Sequence, residues 1–84
     1  MTRYRLTQHA QSAITDRRID LSWVEGVLEN PARVERDRTD PELRHALGRI
    51  SARGDRVLRV IYNHTTDPWL IVTAYFDRTL RNKP

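Results

Sequence analysis

Arg56-Val57-Leu58-Arg59-Val60-Ile61-Tyr62-Asn63, then His64-Thr65-Thr66-Asp67-Pro68, then Trp69-Leu70-Ile71-Val72-Thr73-Ala74-Tyr75-Phe76: this stretch decides the fold. β-Branched and aromatic residues fill both flanks. The break between them is polar and closes on proline, so the flanks read as neighbouring antiparallel strands. Upstream, Gly54-Asp55 marks a tight hairpin that joins a further strand, Leu43 to Arg53, to the first of the pair. Before Leu43, Thr39-Asp40-Pro41-Glu42 reads as a turn. Ala32 to Arg38 reads as a short, charged edge strand.

On the N-terminal side of Pro31 the periodicity changes from two to helical. Thr7 is placed to cap a first helix, with Leu6, Ala10, Ala13 and Ile14 at helical spacing and an end near Arg18. Ser22-Trp23-Val24-Glu25 matches a capping box for a second helix. Val24, Val27 and Leu28 form its apolar stripe and Asn30-Pro31 its end. Tyr4-Arg5-Leu6 is a candidate for one more short strand. The expected architecture is α+β: two N-terminal helices packed on a three- to four-stranded antiparallel sheet, in a single domain spanning residues 1–84.

Alternation sorts the strands into two faces. Leu70, Val72, Ala74 and Phe76 are assigned to the helices, together with Leu58, Val60, Tyr62, Ala46, Gly48, Ile50 and Ala52. The other face then carries His45, Leu47, Arg49, Ser51, Arg59, Trp69, Ile71, Thr73 and Tyr75. Such a face is either the solvated side of an antiparallel sheet or a binding surface.

Composition narrows the function classes. The chain has no cysteine, which removes disulfides, thiolate nucleophiles and thiolate metal sites. Met1-Thr2-Arg3-Tyr4-Arg5 lacks the apolar stretch of a secretory leader. The longest apolar run, Trp69 to Phe76, is less than half of the ~18 residues a membrane helix needs. A cytoplasmic location is therefore expected. Net charge is +4, and 14 of the 15 basic residues are arginine. Guanidinium groups suit phosphate recognition, but a GC-rich genome produces the same bias. The 11 acidic residues are interspersed, and the tail after Asp77 is basic and expected to fray.

Two residues of the first helix are candidates for chemistry. His9 falls in its first turn, from which a neutral imidazole can act as a general base or simply be solvated. Arg17 falls in the middle of the apolar stripe, where a guanidinium either grips an anion or lays its stem along the core edge. His9, His45 and His64 sit in three different elements, so no local metal-binding pair is formed. No phosphate-cradling glycine loop or nucleophile elbow is present.

Leu6-Thr7-Gln8-His9-Ala10, Ile14-x-x-Arg17-Arg18-Ile19, Val24-x-x-Val27-Leu28-x-x-Pro31, Val57-Leu58-x-Val60-Ile61 and Ile71-Val72-Thr73-Ala74-Tyr75 follow in that order. In order and spacing they resemble the bacterial family called domain of unknown function 4258. That resemblance implies a RelE- or BrnT-like toxin fold, suspected ribonuclease activity, and His9, Arg17, Thr73 and Tyr75 as catalytic residues. Arg49 and Arg59 join them from face geometry, with Trp69 or Tyr75 as a surface on which a base can stack. The implied chemistry is metal-free RNA cleavage without a cofactor, by a toxin that an antitoxin protein neutralises. The alternative is a non-catalytic module that uses the same basic face to hold an acidic protein partner.

Overall fold

The computed structural model of the protein describes residues 4–80. Its elements are β1 (Tyr4–Leu6), α1 (Gln8–Asp16), α2 (Leu21–Glu29), β2 (Arg33–Arg36), β3 (Leu43–Ile50), β4 (Arg56–Asn63) and β5 (Trp69–Phe76). Short 3₁₀ turns follow β3 (Ser51–Arg53) and β5 (Arg78–Leu80). One five-stranded sheet has the order β1-β5-β4-β3-β2.

The α+β class stands, but the expected arrangement needs two corrections. The sheet is mixed and five-stranded, and a strand precedes the helices. β1 lies parallel to β5, with Tyr4 opposite Trp69 and Leu6 opposite Ile71. Three residues are too few to show alternation, and their partner lies at the far end of the chain, so no local pattern announces the pairing. Beyond Leu6, no strand among the described residues lies on that side of β5. Its outward carbonyls accept from side chains instead: Val72 from the Thr7 hydroxyl at 3.2 Å and Ala74 from Arg17 Nη1 at 3.0 Å.

Thr7 caps α1 as its position predicts, accepting from the Ala10 amide at 3.0 Å. The helix ends at Asp16, two residues sooner than expected. Arg18 takes a left-handed conformation (φ 54°), and the Arg18 and Ile19 amides donate back to the Thr15 and Ile14 carbonyls. This arrangement satisfies carbonyls that the helix end would otherwise leave unpaired. α2 is capped by Asp20, not by Ser22: the Asp20 carboxylate accepts from the Ser22 amide at 2.9 Å and from its hydroxyl at 2.8 Å.

Both helices cover one face of the sheet. Ala10, Ile14, Ile19, Val24 and Val27 pack there against Ala46, Ile50, Leu58, Val60, Tyr62, Ile71 and Ala74. A register shift between Ile61 and Tyr62 leaves Val72 as an extra residue in β5: Ile61 faces Thr73, while Tyr62 faces Ile71. A β-bulge of this kind exchanges the two faces along the strand. Ala74 and Phe76 face the helices as predicted, whereas in the first half it is Trp69 and Ile71 that do so. Leu70 goes to the other side, opposite Asn63. Trp69 stacks on Tyr62 with centroids 4.7 Å apart.

The rest of the basic tail, residues 81–84, lies outside the described residues. Among the described residues no helix is long and apolar enough to cross a membrane.

Two stability outcomes follow from these contacts. A Cβ at Gly48 would meet Val27 Cγ2 at 3.0 Å, so the close seat of α2 on β3 leaves little room for a side chain at this position. Gly48→Val is expected to cost about 1–3 kcal/mol by overpacking, read from the urea midpoint. Arg18→Gly relieves a left-handed non-glycine residue and is expected to raise stability by about 1 kcal/mol in the same assay.

Candidate functional site

The sheet face away from the helices is a lattice set by register. One row runs Glu35, His45, Ile61, Thr73, and the next Arg33, Leu47, Arg59, Tyr75. Arg49 and Val57 form a third. Directly opposed residues on such a face have Cβ atoms roughly 5 Å apart, close enough for side chains to bond. Leu47 and Val57 are fully buried although neither α-helix covers them; the chain leaving β5 bonds the Val57 carbonyl through the Asp77 amide at 2.9 Å and turns against β4. Arg59 stands directly opposite Leu47, where its apolar stem can lie over the leucine.

Arg59 is the centre of the face, with only 11% of its side chain exposed. Its Nε donates to Asp77 Oδ2 at 2.9 Å, and its Nη1 to Glu35 Oε1 at 3.0 Å and His45 Nδ1 at 2.8 Å. Burial works against the charge, but the bonds to Glu35 and Asp77 outweigh it and hold the Arg59 pKa above its ordinary value. Because a guanidinium can only donate, His45 Nδ1 is the acceptor. The ring proton is then on Nε2, which donates to Asp37 Oδ1 at 2.7 Å.

Asp37 is itself fixed. Its other oxygen accepts from the Thr39 amide and hydroxyl and from the Asp40 amide, all within 3.2 Å. The hydrogen bond from His45, with those two amides, pulls its pKa from 3.8 to about 2. Glu35 is lowered mainly by the bond from Arg59. Asp77 is lowered first by the Thr79 hydroxyl, which bonds its second oxygen at 2.5 Å, and further by Arg59. The result is a continuous chain, Asp37–His45–Arg59–Glu35/Asp77, anchored on β2, β3, β4 and the end of β5.

The structure brings together four of the residues singled out from sequence. Arg59, Thr73 and Tyr75 lie side by side on this face, with Arg49 exposed in the adjoining row. Trp69 is on the helix side, because of the bulge. His9 is exposed on α1 in the helix layer. Arg17 occupies the flank between the layers, its guanidinium on the Ala74 carbonyl, whose neighbours Thr73 and Tyr75 project onto the site face. Sequence reasoning placed His45 on this face but missed its role, and missed Asp37, Glu35 and Asp77 altogether. No local motif joins positions 37, 45, 59 and 77. The cross-strand register, had it been legible, was the one signal that joins the first three. Among the described residues no three His, Asp or Glu side chains cluster as a metal site needs.

The carboxylates give this network a pH signature. Groups whose pKa is lower in the folded state contribute stability above their ordinary values, and lose it as pH falls through the folded ones. Stability is therefore expected to hold down to about pH 4.5, the ordinary Glu35 value, and then to decline towards pH 2. Urea midpoints of wild type and Asp37→Asn should differ at pH 7 and converge near pH 2. A difference independent of pH would remove Asp37 from this role.

No curated protein and no solved structure matches the chain. A family model described as Domain of unknown function (DUF4258) matches residues 6–76, from the end of β1 to the end of β5. That span contains all of the network except Asp77, and the chain belongs to this family.

Proposed function

We propose that the protein is a toxin-like RNA-binding protein that cleaves phosphodiester bonds without a metal, on the sheet face centred on Arg59. The observation that carries this reading is the Asp37–His45–Arg59 chain beside Tyr75 and Thr73. It offers an oriented imidazole, a guanidinium and two hydroxyls, and none of its members is an activated protein nucleophile. Chemistry with such a set takes its nucleophile from the substrate, and the RNA 2′-hydroxyl is the nucleophile next to a phosphodiester.

An incoming phosphate draws Arg59 away from His45 and frees Nδ1. His45 Nδ1 then takes the 2′-hydroxyl proton, and the 2′-oxygen bonds to phosphorus. The bond from phosphorus to the 5′-oxygen breaks, and that oxygen takes a proton from the Tyr75 hydroxyl. The products are a 2′,3′-cyclic phosphate and a 5′-hydroxyl. Asp37 keeps its bond to Nε2 and stabilises the imidazolium, as an orienting carboxylate does in a catalytic triad. Arg59 stabilises the extra charge of the phosphorane, and Thr73 orients the phosphate. Arg49 and Arg17 extend the phosphate track to either side. In this reading His45 takes the proton-transfer role expected of His9, which lies in the other layer.

A second reading draws on the two carboxylates already seated on Arg59. An acidic protein segment, such as an antitoxin's, would replace Glu35 and Asp77 there, and the face would then be a partner-binding module.

The test is controlled expression with mapping of RNA ends, beside cleavage and binding by purified protein. Wild type is expected to leave cyclic-phosphate ends. His45→Gln and Arg59→Ala, shown to be folded, should each lose about a hundredfold or more in rate. RNA affinity should fall steeply with added salt, and less steeply in Arg49→Ala, Arg59→Ala. Full cleavage by His45→Gln would end the catalytic assignment. No RNA affinity at low salt would favour the protein-partner reading.

A further inference from the structure

We propose that β2 pairs with β2 of a second copy of this chain, about a two-fold axis at Val34. Among the described residues β2 is an edge strand, bonded only to β3. Just past its end, the Asp37 amide donates to the Leu43 carbonyl, which continues the β2–β3 ladder by one residue. Alternate residues therefore point their backbone groups at β3, and Val34 and Arg36 point theirs outward. Val34 is also one of two large apolar residues exposed among the described residues, at 47%. Its side chain is on the helix side of the sheet, but α2 lies over β3 and β4 and leaves β2 uncovered.

Charge selects the partner and the register. An antiparallel pair of identical strands must centre on one residue, so that facing side chains share a side of the sheet. Centring on Glu35 would set two carboxylates against each other. Centring on Val34 sets Val34 on Val34 of the partner, with two backbone bonds between them, and Arg33 opposite Glu35 of the partner on both sides of the axis. Within one chain Arg33 and Glu35 already form an ion pair at 2.5 Å, and both are at least one-third exposed. The exchange needs only Glu35 Oε2, the oxygen that faces Arg33, while Oε1 stays on Arg59. An exposed edge written Arg-Val-Glu is complementary to itself in this one register and mismatched in the next. Four residues bury far less than the roughly 1,200–2,000 Å² of a stable interface, so the association is weak.

The experiment is sedimentation equilibrium over micromolar to millimolar concentrations, with circular dichroism as the check on folding. Wild type is expected to show a monomer–dimer equilibrium. Val34→Pro removes an amide that points away from β3 and bonds nothing among the described residues, so the fold should persist while dimer formation falls at least tenfold. The chain has no cysteine, so single cysteines introduced by Val34→Cys and Arg36→Cys allow a check on register. In the Val34-centred pair the two copies of position 34 face each other with Cα atoms about 5.5 Å apart, whereas the two copies of position 36 stand roughly 14 Å apart. Oxidation should therefore cross-link Val34→Cys at least tenfold faster than Arg36→Cys. Should proline disturb the fold, the cysteine comparison decides. A wild type that stays monomeric at millimolar concentration, a dimer untouched by Val34→Pro, or equal cross-linking of the two cysteine variants would each overturn the proposal.

Discussion

One extra residue in β5 sets both sides of this molecule. The shift at Val72 lets Ile71 reach the core under the helices while Thr73 and Tyr75, two and four positions later, stand on the opposite face. With unbroken alternation those three residues would share a side: Ile71 would leave the core, or Tyr75 would leave Arg59. The same residue's carbonyl accepts from Thr7, whose own oxygen caps α1. The bulge thus ties the entrance of the first helix to the strand that carries half of the site. A sheet edge is a common place for such an irregularity, and here it changes which side chains meet.

The electrostatics on the far side depend on a single partly buried guanidinium. Arg59 lies in register with Leu47, which is fully buried, so its charge sits over apolar ground and needs acceptors. It has three, from β2, β3 and the turn after β5. The carboxylates neutralise it, and the imidazole is neutral in the same arrangement. The face is therefore balanced at rest, with its cation committed to groups that an anion can replace. That differs from an open basic patch: in the proposed reaction a phosphate would have to exchange places with these partners, and the exchange would uncover His45 Nδ1 as a proton acceptor.

The legibility of all this in the sequence was uneven for physical reasons. β4 and β5 were found to their end residues because β-branched and aromatic side chains pack both sides of a central strand. The faces of β3 and β4 followed from alternation, and so Arg49 and Arg59 were placed correctly. In β5 the rule failed before Val72 and held after it. No glycine or proline marks the bulge, and Trp69 was consequently assigned to the wrong side. Thr7 was identified as a cap, whereas Asp20 was passed over for Ser22, two residues later, which shares its bonding pattern. Asp37 and Asp77 sit at strand ends, where periodicity stops and only the folded turn brings a carboxylate back over the sheet. β1 was visible only as a candidate, because the bonds that define it are made to the other end of the chain.

The bonds from Thr7 and Arg17 to the outer carbonyls of β5 also bear on how large an assembly this fold can form. A strand that ends in unanswered backbone groups invites another, and a sheet open along both flanks can add neighbours without limit. Here two outward carbonyls of β5, those of Val72 and Ala74, are taken by a hydroxyl and a guanidinium from the two ends of α1. Before Val72, that flank is covered by β1, which pairs with Trp69, Leu70 and Ile71. With those two acceptors occupied, a further strand would find fewer backbone partners on this flank than at β2, which biases any assembly towards growth from one edge.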